Sequence, residues 1–149
     1  MRAVLQRVSR AKVSVNSKVA GEIGAGLVIL LGLGTGDTTN TASAMAERIV
    51  NLRIFEDADG KMNRSLLEVQ GRALVISQFT LYGDARGQRR PSFMAAARPE
   101  QAKLLYEEVC SALRSSGIMV ETGVFQASMS VELVNEGPVT ILLDSEKAF

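Results

Sequence analysis

Apolar and polar positions change period several times along the chain, and each change marks an element. Ala3 to Val15 is rich in Val and Leu with polar residues between them, and Val13-Ser14-Val15 alternates cleanly. This predicts two strands, with Asn16-Ser17-Lys18 as a turn. Leu27 to Leu31 is an unbroken apolar run between glycines, the pattern of a strand buried on both faces. From Thr38 to Leu52 the period becomes helical, with Met45, Ile49 and Leu52 on one face and Glu47 and Arg48 on the other. A residue within Thr39 to Thr41 is expected to cap that helix. Arg53-Ile54-Phe55 returns to strand character before the turn Asp57-Ala58-Asp59-Gly60.

Ala73 to Leu81 reads as a further strand. Gly83 to Arg98, interrupted by Gly87 and Pro91, has no sustained period and reads as a long loop. Pro99 suits a first helical position, Leu105, Tyr106, Val109 and Leu113 form an inward stripe, and Gly117 stands just past the end. Then Phe125, Ala127, Met129, Val131 and Leu133 alternate with Gln126, Ser128, Ser130 and Glu132, which predicts a long strand with one wet face. Asn135 to Thr140 is expected to turn the chain, and Val139 to Leu143 to form a closing strand. The sum is a mixed α/β fold, one domain over 1–149, built as two packed sheets or an open barrel with helices on one side.

Composition narrows the chemistry. The chain has 149 residues, 17 basic against 16 acidic, a formal charge of +1, one cysteine and no histidine. Near-neutral charge announces no global nucleic-acid field, although a local basic surface stays open. Without imidazole, mechanisms that need a histidine base are excluded. The lone Cys110 excludes an internal disulfide and, with histidine missing, disfavours zinc; no metal or cofactor is expected. No apolar run approaches the roughly 20 residues of a membrane span, and the start turns polar too soon for a secretory signal. A cytoplasmic location is expected.

Three patterns have ordinary explanations. Gly32-Leu33-Gly34-Thr35-Gly36 follows a buried strand and precedes a helix, as a dinucleotide loop does. The third glycine of that fingerprint falls where Asp37 stands, and a carboxylate there repels a pyrophosphate. A flexible turn is the better reading. Cys110 reads as a small buried hydrophobe. Glu56, Asp57 and Asp59 lack the rest of a calcium loop and read as turn residues.

Two motifs carry the chemical signal: Ser77-Gln78-Phe79-Thr80-Leu81-Tyr82-Gly83-Asp84 and Asn135-Glu136-Gly137-Pro138-Val139-Thr140. Thr80 falls where a strand gives way to Tyr82-Gly83, so its side chain and the nearby N–H groups can face a cleft. Gln78, two residues earlier, shares its face. Both also suit a plain polar strand end. Gly137-Pro138 is either an ordinary corner or a rigid main-chain element that offers carbonyls to a ligand's ammonium group.

Together these motifs resemble those of the D-aminoacyl-tRNA deacylase family of bacterial and eukaryotic type. The resemblance runs nearly end to end, through Gln6-Arg7-Val8, Gly21 to Leu27, Arg53-Ile54-Phe55, Gly60 to Asn63, Ser77 to Leu81, Arg90 to Phe93, and Gly123 to Thr140. Glu136 stands where many relatives carry Asp. The resemblance implies a homodimer that hydrolyses the ester between a D-amino acid and the tRNA 3′ adenosine, and that also clears glycine from mischarged tRNA. It implies a cis Gly137-Pro138 bond reaching into the partner subunit's site, where the main chain holds the substrate amino group and leaves no space for an L side chain.

Thr80 has no base to make it a nucleophile. Attack by water is therefore expected, with the N–H groups around Phe79 and Thr80 stabilising the oxyanion. Gln78 and Thr140 are expected to position the ester and the terminal adenosine, with Ser77 and Val139 beside them. The resemblance implies that the tRNA's own 2′-hydroxyl orients or activates the water. Phe125 and Met129 are candidates for the adenosine pocket, or for plain core. Arg86, Arg89, Arg90 and Arg98 face one acid, Asp84, between Gly83 and Pro99, and are candidate tRNA-backbone contacts. The alternatives are a related deacylase acting on L-alanyl or glycyl esters, disfavoured by the pairing of Arg7 with Gly137-Pro138, and a non-catalytic tRNA-binding barrel.

Overall fold

The first alternating stretch forms one strand. In the computed structural model, which describes residues 1–149, β1 runs unbroken over Arg2–Val15. A turn at Asn16 and Ser17, both at positive φ, leads into β2 (Lys18–Ile23), and β3 (Gly26–Gly32) follows. Helix α1 (Thr39–Asn51) precedes a small hairpin of β4 (Phe55–Glu56) and β5 (Met62–Arg64). Then come β6 (Arg72–Ser77), a 3-10 turn (Phe79–Tyr82), α2 (Pro99–Ser115), β7 (Met119–Thr122) and β8 (Ser130–Asp144).

The main sheet has the order β2-β1-β3-β6-β7, with β8 also paired to β1. Antiparallel β8 covers one edge of β1 from Arg2 to Ser14. The other edge pairs with β3 along its first half and with β2 along its last residues. β3, β6 and β7 run parallel, and α1 and α2 lie in the two crossovers that parallel pairing requires. At Gly21 the missing side chain lets β2 come against the Thr122 carbonyl of β7, so the sheet rolls into a nearly closed barrel.

Alternation sorts the strands' side chains between two cores. Leu27, Ile29 and Leu31 of β3 and Ala73 and Val75 of β6 face the helices, where they meet Ile49, Val109 and Leu113. Val28, Leu74 and Ile76 point into the barrel. The apolar run Leu27 to Leu31 is thus buried on both faces, as its pattern predicts. In β1, Ala3 and Leu5 face the helices but Ala11 and Val13 face the barrel. Equal parity on opposite faces requires one extra residue. It is Ser9: between Val8 and Arg10 the strand advances two residues while β8 advances one.

Four boundaries differ from expectation. The cap of α1 is Thr38, the last extended residue, whose hydroxyl accepts from the Thr41 N–H at 3.3 Å while the Thr41 hydroxyl accepts from the Thr38 N–H. Of Arg53 to Phe55, Phe55 alone enters a strand, although Ile54 is buried. The long strand begins at Ser130 rather than Phe125, because Gln126 at φ 63° turns the chain and the Ala127 N–H closes on the Val124 carbonyl. Finally, Asn135 to Thr140 does not reverse the chain. β8 passes through it, and the segment stands out as a bulge.

Candidate functional site

The first motif sits at the end of a buried parallel strand. β6 stops at Ser77, not Leu81, and the Gln78 N–H still donates to the Leu31 carbonyl at 2.8 Å. Gln78 then leaves the strand and Phe79–Tyr82 winds into a 3-10 turn. The Leu81 N–H donates to the Gln78 carbonyl and the Gly83 N–H to the Thr80 carbonyl. The N–H groups of Phe79 and Thr80 stand at the open end, where a helical turn has no acceptor of its own. Gln78 Nε2 donates to Thr80 Oγ1 at 2.5 Å, so the two residues meet through the turn rather than along a strand face.

The glycine run after β3 seats this turn. A Cβ on Gly34 would stand 2.6 Å from the Tyr82 hydroxyl oxygen, and one on Gly32 would stand 3.0 Å from the Gln78 carbonyl. These glycines are a packing surface, not the flexible turn expected of them. Asp37 turns inward, accepting from the Gly34 N–H at 2.7 Å and from the Met1 amino group. Tyr82 is buried behind the turn. Burial, with Asp37 and Asp144 nearby, raises its phenol pKa, so it stays protonated.

In front of the turn opens a cleft of about 620 Å³. Ser77, Gln78 and Phe79 line one wall, and Phe93, Phe125 and Met129 contribute to the rest. Phe93 packs edge-on against Phe79 with ring centroids 5.1 Å apart. Phe125 and Met129 reach the cleft from the turn before β8 rather than from a strand. Phe125 also leans on Tyr106, whose hydroxyl donates to the Val75 carbonyl.

The second motif is held from behind. Between Gln6 and Val8 on β1, β8 spends five steps, from Thr140 to Asn135. Arg7 lies in the gap, 8% exposed, in the buried phase of β1. Its Nε donates to the Glu136 carbonyl at 3.0 Å, one terminal nitrogen to the Ile54 carbonyl at 2.8 Å, and the other reaches Glu56 at 3.5 Å. Asn135 staples the bulge. Its Oδ1 accepts from the Val139 N–H at 2.7 Å, and its Nδ2 donates to Thr140 Oγ1, which also accepts from Gln6. Val139 is buried, whereas Gly137 and Pro138 are exposed. The bond between them is cis, and Gly137 takes φ 138°.

Within one chain the two motifs do not meet. Thr140 pairs with Gln6, and Ser77 with Leu31, a partner of Ala3. β1 and β3 therefore lie between them, three strand spacings of about 4.8 Å each. Gly137 and Pro138 do not line the cleft of Gln78 and Phe79.

All four arginines of the loop are exposed. Arg86 is engaged by Asp84 through contacts of 2.9 and 2.7 Å, and that hydrogen-bonded guanidinium holds the Asp84 carboxyl well below the usual range. Arg89, Arg90 and Arg98 form no ion pair within the chain. Cys110 is buried and its thiol pKa is raised by that burial, which keeps it unreactive. Asp57 accepts from the Asn63 side chain and from the Asp59 and Lys61 N–H groups, the work of a turn residue.

Sequence reasoning assigned no role to Phe93, Asn135 or Gln6. One signal was available for Arg7: a charge in phase with buried Ala3 and Leu5 needs partners inside.

The family model described as D-Tyr-tRNA(Tyr) deacylase matches residues 4–144. The chain is 59% identical over 149 residues to a D-aminoacyl-tRNA deacylase of Fervidobacterium nodosum, covering 100% of both chains. It is 58% identical over 147 residues to one of Thermus aquaticus, covering 99% of this chain and 97% of that one. Among solved structures, one titled c-Myc DNA Unwinding Element Binding Protein superposes with TM-score 0.91 at 39% identity, over 97% of this chain and 99% of that one. A probable eukaryotic D-amino acid tRNA deacylase shares the fold at TM-score 0.83 and 18% identity, over 95% of this chain and 97% of that one.

Proposed function

The chain belongs to the D-aminoacyl-tRNA deacylase family, and we propose from that premise that it hydrolyses the ester of D-aminoacyl-tRNA in the cytoplasm. The observation that carries this reading is an aromatic cleft ending on the open N–H end of the Phe79–Tyr82 turn, in a chain without histidine.

Water attacks the ester carbonyl carbon, and the negative charge that builds on the carbonyl oxygen is met by the Phe79 and Thr80 N–H groups. The carbon–oxygen bond to the ribose then breaks, the 3′-oxygen takes a proton, and free amino acid and tRNA leave. The tRNA's 2′-hydroxyl orients or activates the water, and the proton the water loses passes to the leaving 3′-oxygen, so the step calls for no histidine base. Gln78, tied to Thr80, positions the ester beside Ser77. Phe125 and Met129, with Phe93, provide apolar and aromatic surface for the terminal adenosine.

Chirality is read by main chain. Gly137 and Pro138 stand on an exposed bulge, anchored by Arg7 and by buried Val139, and are remote from their own chain's cleft. They act in the cleft of a second copy, within a homodimer, where carbonyls take the substrate ammonium and a rigid wall excludes an L side chain. Thr140 supports that wall through Asn135. Glycine, lacking a side chain, passes the same filter. Arg89, Arg90 and Arg98, with Arg86 partly neutralised by Asp84, contact the tRNA backbone. Three phosphate contacts to a single strand give a salt slope of about −2 in log K against log salt.

Release of free amino acid from D-Tyr-tRNA, L-Tyr-tRNA, L-Ala-tRNA and Gly-tRNA tests the reading. Hydrolysis of the D-ester with the L-ester spared supports it. Action on L-alanyl or glycyl esters alone favours the related editing activity, and tRNA binding without any release leaves a binding barrel.

A further inference from the structure

We propose that Arg2 is a positioning residue that sets the orientation of the Phe79–Tyr82 turn. The inference rests on the reading that this turn's N–H groups stabilise the oxyanion. Arg2 opens β1, two strands from the end of β6, and reaches across β3 to the far end of the turn. Its Nη1 donates to the Leu81 carbonyl at 2.9 Å. Its Nε pairs at 3.2 Å with Asp144, whose side chain is 1% exposed. The guanidinium carbon lies over the Tyr82 ring, 4.6 Å from the centroid.

Each contact fixes a different degree of freedom. The carbonyls at the end of a helical turn lack donors of their own, and a cation there also complements the turn's dipole. Asp144 sits opposite Arg2 in the β1–β8 ladder, and its second oxygen accepts from the Glu146 N–H at 2.8 Å. The carboxylate therefore cannot swing away with the arginine. Tyr82 ends the turn and packs on Gly34, so a cation held over its ring restrains rotation about the turn axis. A four-residue turn has no slack: tilting Leu81 tilts Phe79 and Thr80 as well. A planar fork makes all three contacts at once, whereas a lysine ammonium makes one.

The test compares Arg2→Lys and Arg2→Met with the wild-type chain in D-Tyr-tRNA hydrolysis and in amide hydrogen exchange. Arg2→Lys is expected to lower kcat about tenfold, short of the ~100-fold or more for deleting an oxyanion donor. KM should stay within about twofold, because the cleft that binds the adenosine is untouched. Exchange at the Leu81 and Gly83 amides should accelerate about tenfold, while β6 keeps its protection. Arg2→Met should shift both readouts further in the same direction. Wild-type kcat and turn exchange in both variants overturn the proposal. So does acceleration that spreads equally through β6, which marks a general structural role. Wild-type protein that releases no D-tyrosine sinks the reaction reading itself, and the role in it given to Arg2; active wild type with unaffected variants sinks the Arg2 proposal alone.

Discussion

The two motifs solve one problem, presenting main chain rigidly, in opposite ways. The turn at Phe79–Tyr82 is seated from inside: it caps a parallel strand, lies on a glycine floor and faces a cleft built by its own chain. The bulge at Asn135 to Thr140 is held from behind by Arg7 and Asn135, and its Gly137 and Pro138 do not line their own chain's cleft. A backbone device that completes its own pocket needs local packing. One that serves another molecule needs an anchor on its rear and an open front. On the proposed reading, the dependence on a second copy lies in the bulge and not in the turn.

The most severe disturbance should come from Gly137→Ala. At φ 138° an alanine is strained, and its Cβ would stand 2.7 Å from a Val139 methyl and 3.2 Å from an Arg7 nitrogen. D-Tyr-tRNA hydrolysis should fall about 100-fold. Mixing this variant with one whose cleft is blocked at Gln78 should restore activity, since one hybrid site then has both parts intact. Failure of that complementation, with exchange of subunits verified, places the bulge in cis and removes the contrast.

Next in size is Arg7→Ala, which strands the buried Ile54 carbonyl and the part-buried Glu136 carbonyl and should cost about 2–3 kcal/mol in chemical denaturation. On the other motif, Gly34→Ala overpacks the floor against Tyr82 and should cost about 1–3 kcal/mol. Activity should decline with it, because the turn must lift. The smallest effect belongs to Thr80→Ala. Its N–H remains and only the bond from Gln78 is lost, so kcat should drop less than about tenfold. Complete loss with intact folding would make the hydroxyl a nucleophile.

Much of the fold was legible from period alone. The run Leu27 to Leu31 revealed a strand with two dry faces, and Pro99 and Gly117 bracketed α2. Errors arose where local pattern met a longer constraint. Phe125 to Leu133 alternates as a strand should, but Gln126 takes a positive φ beside the cleft and turns the chain before β8 begins. Gly137-Pro138 looks like a corner to any local rule, and nothing near it in sequence says that β1 keeps β8 straight across it. Of the site, the residues at Gln78, Phe79 and Thr80 were legible as a motif. Their support was not: Arg2, Gly34 and Phe93 arrive from other elements, and tertiary placement leaves no trace in spacing.

The extra residue at Ser9 has a consequence for how this chain tolerates change. It acts as a phase switch, letting a single ribbon feed two separate apolar interiors. Deleting Ser9 would straighten the ladder and leave Ala11 and Val13 in phase with Val8, whereas keeping the residue but pairing it regularly would turn Ala11 and Val13 out of the barrel and present Lys12 to its inside. Phase, more than length or side-chain identity, is what this stretch of chain must preserve.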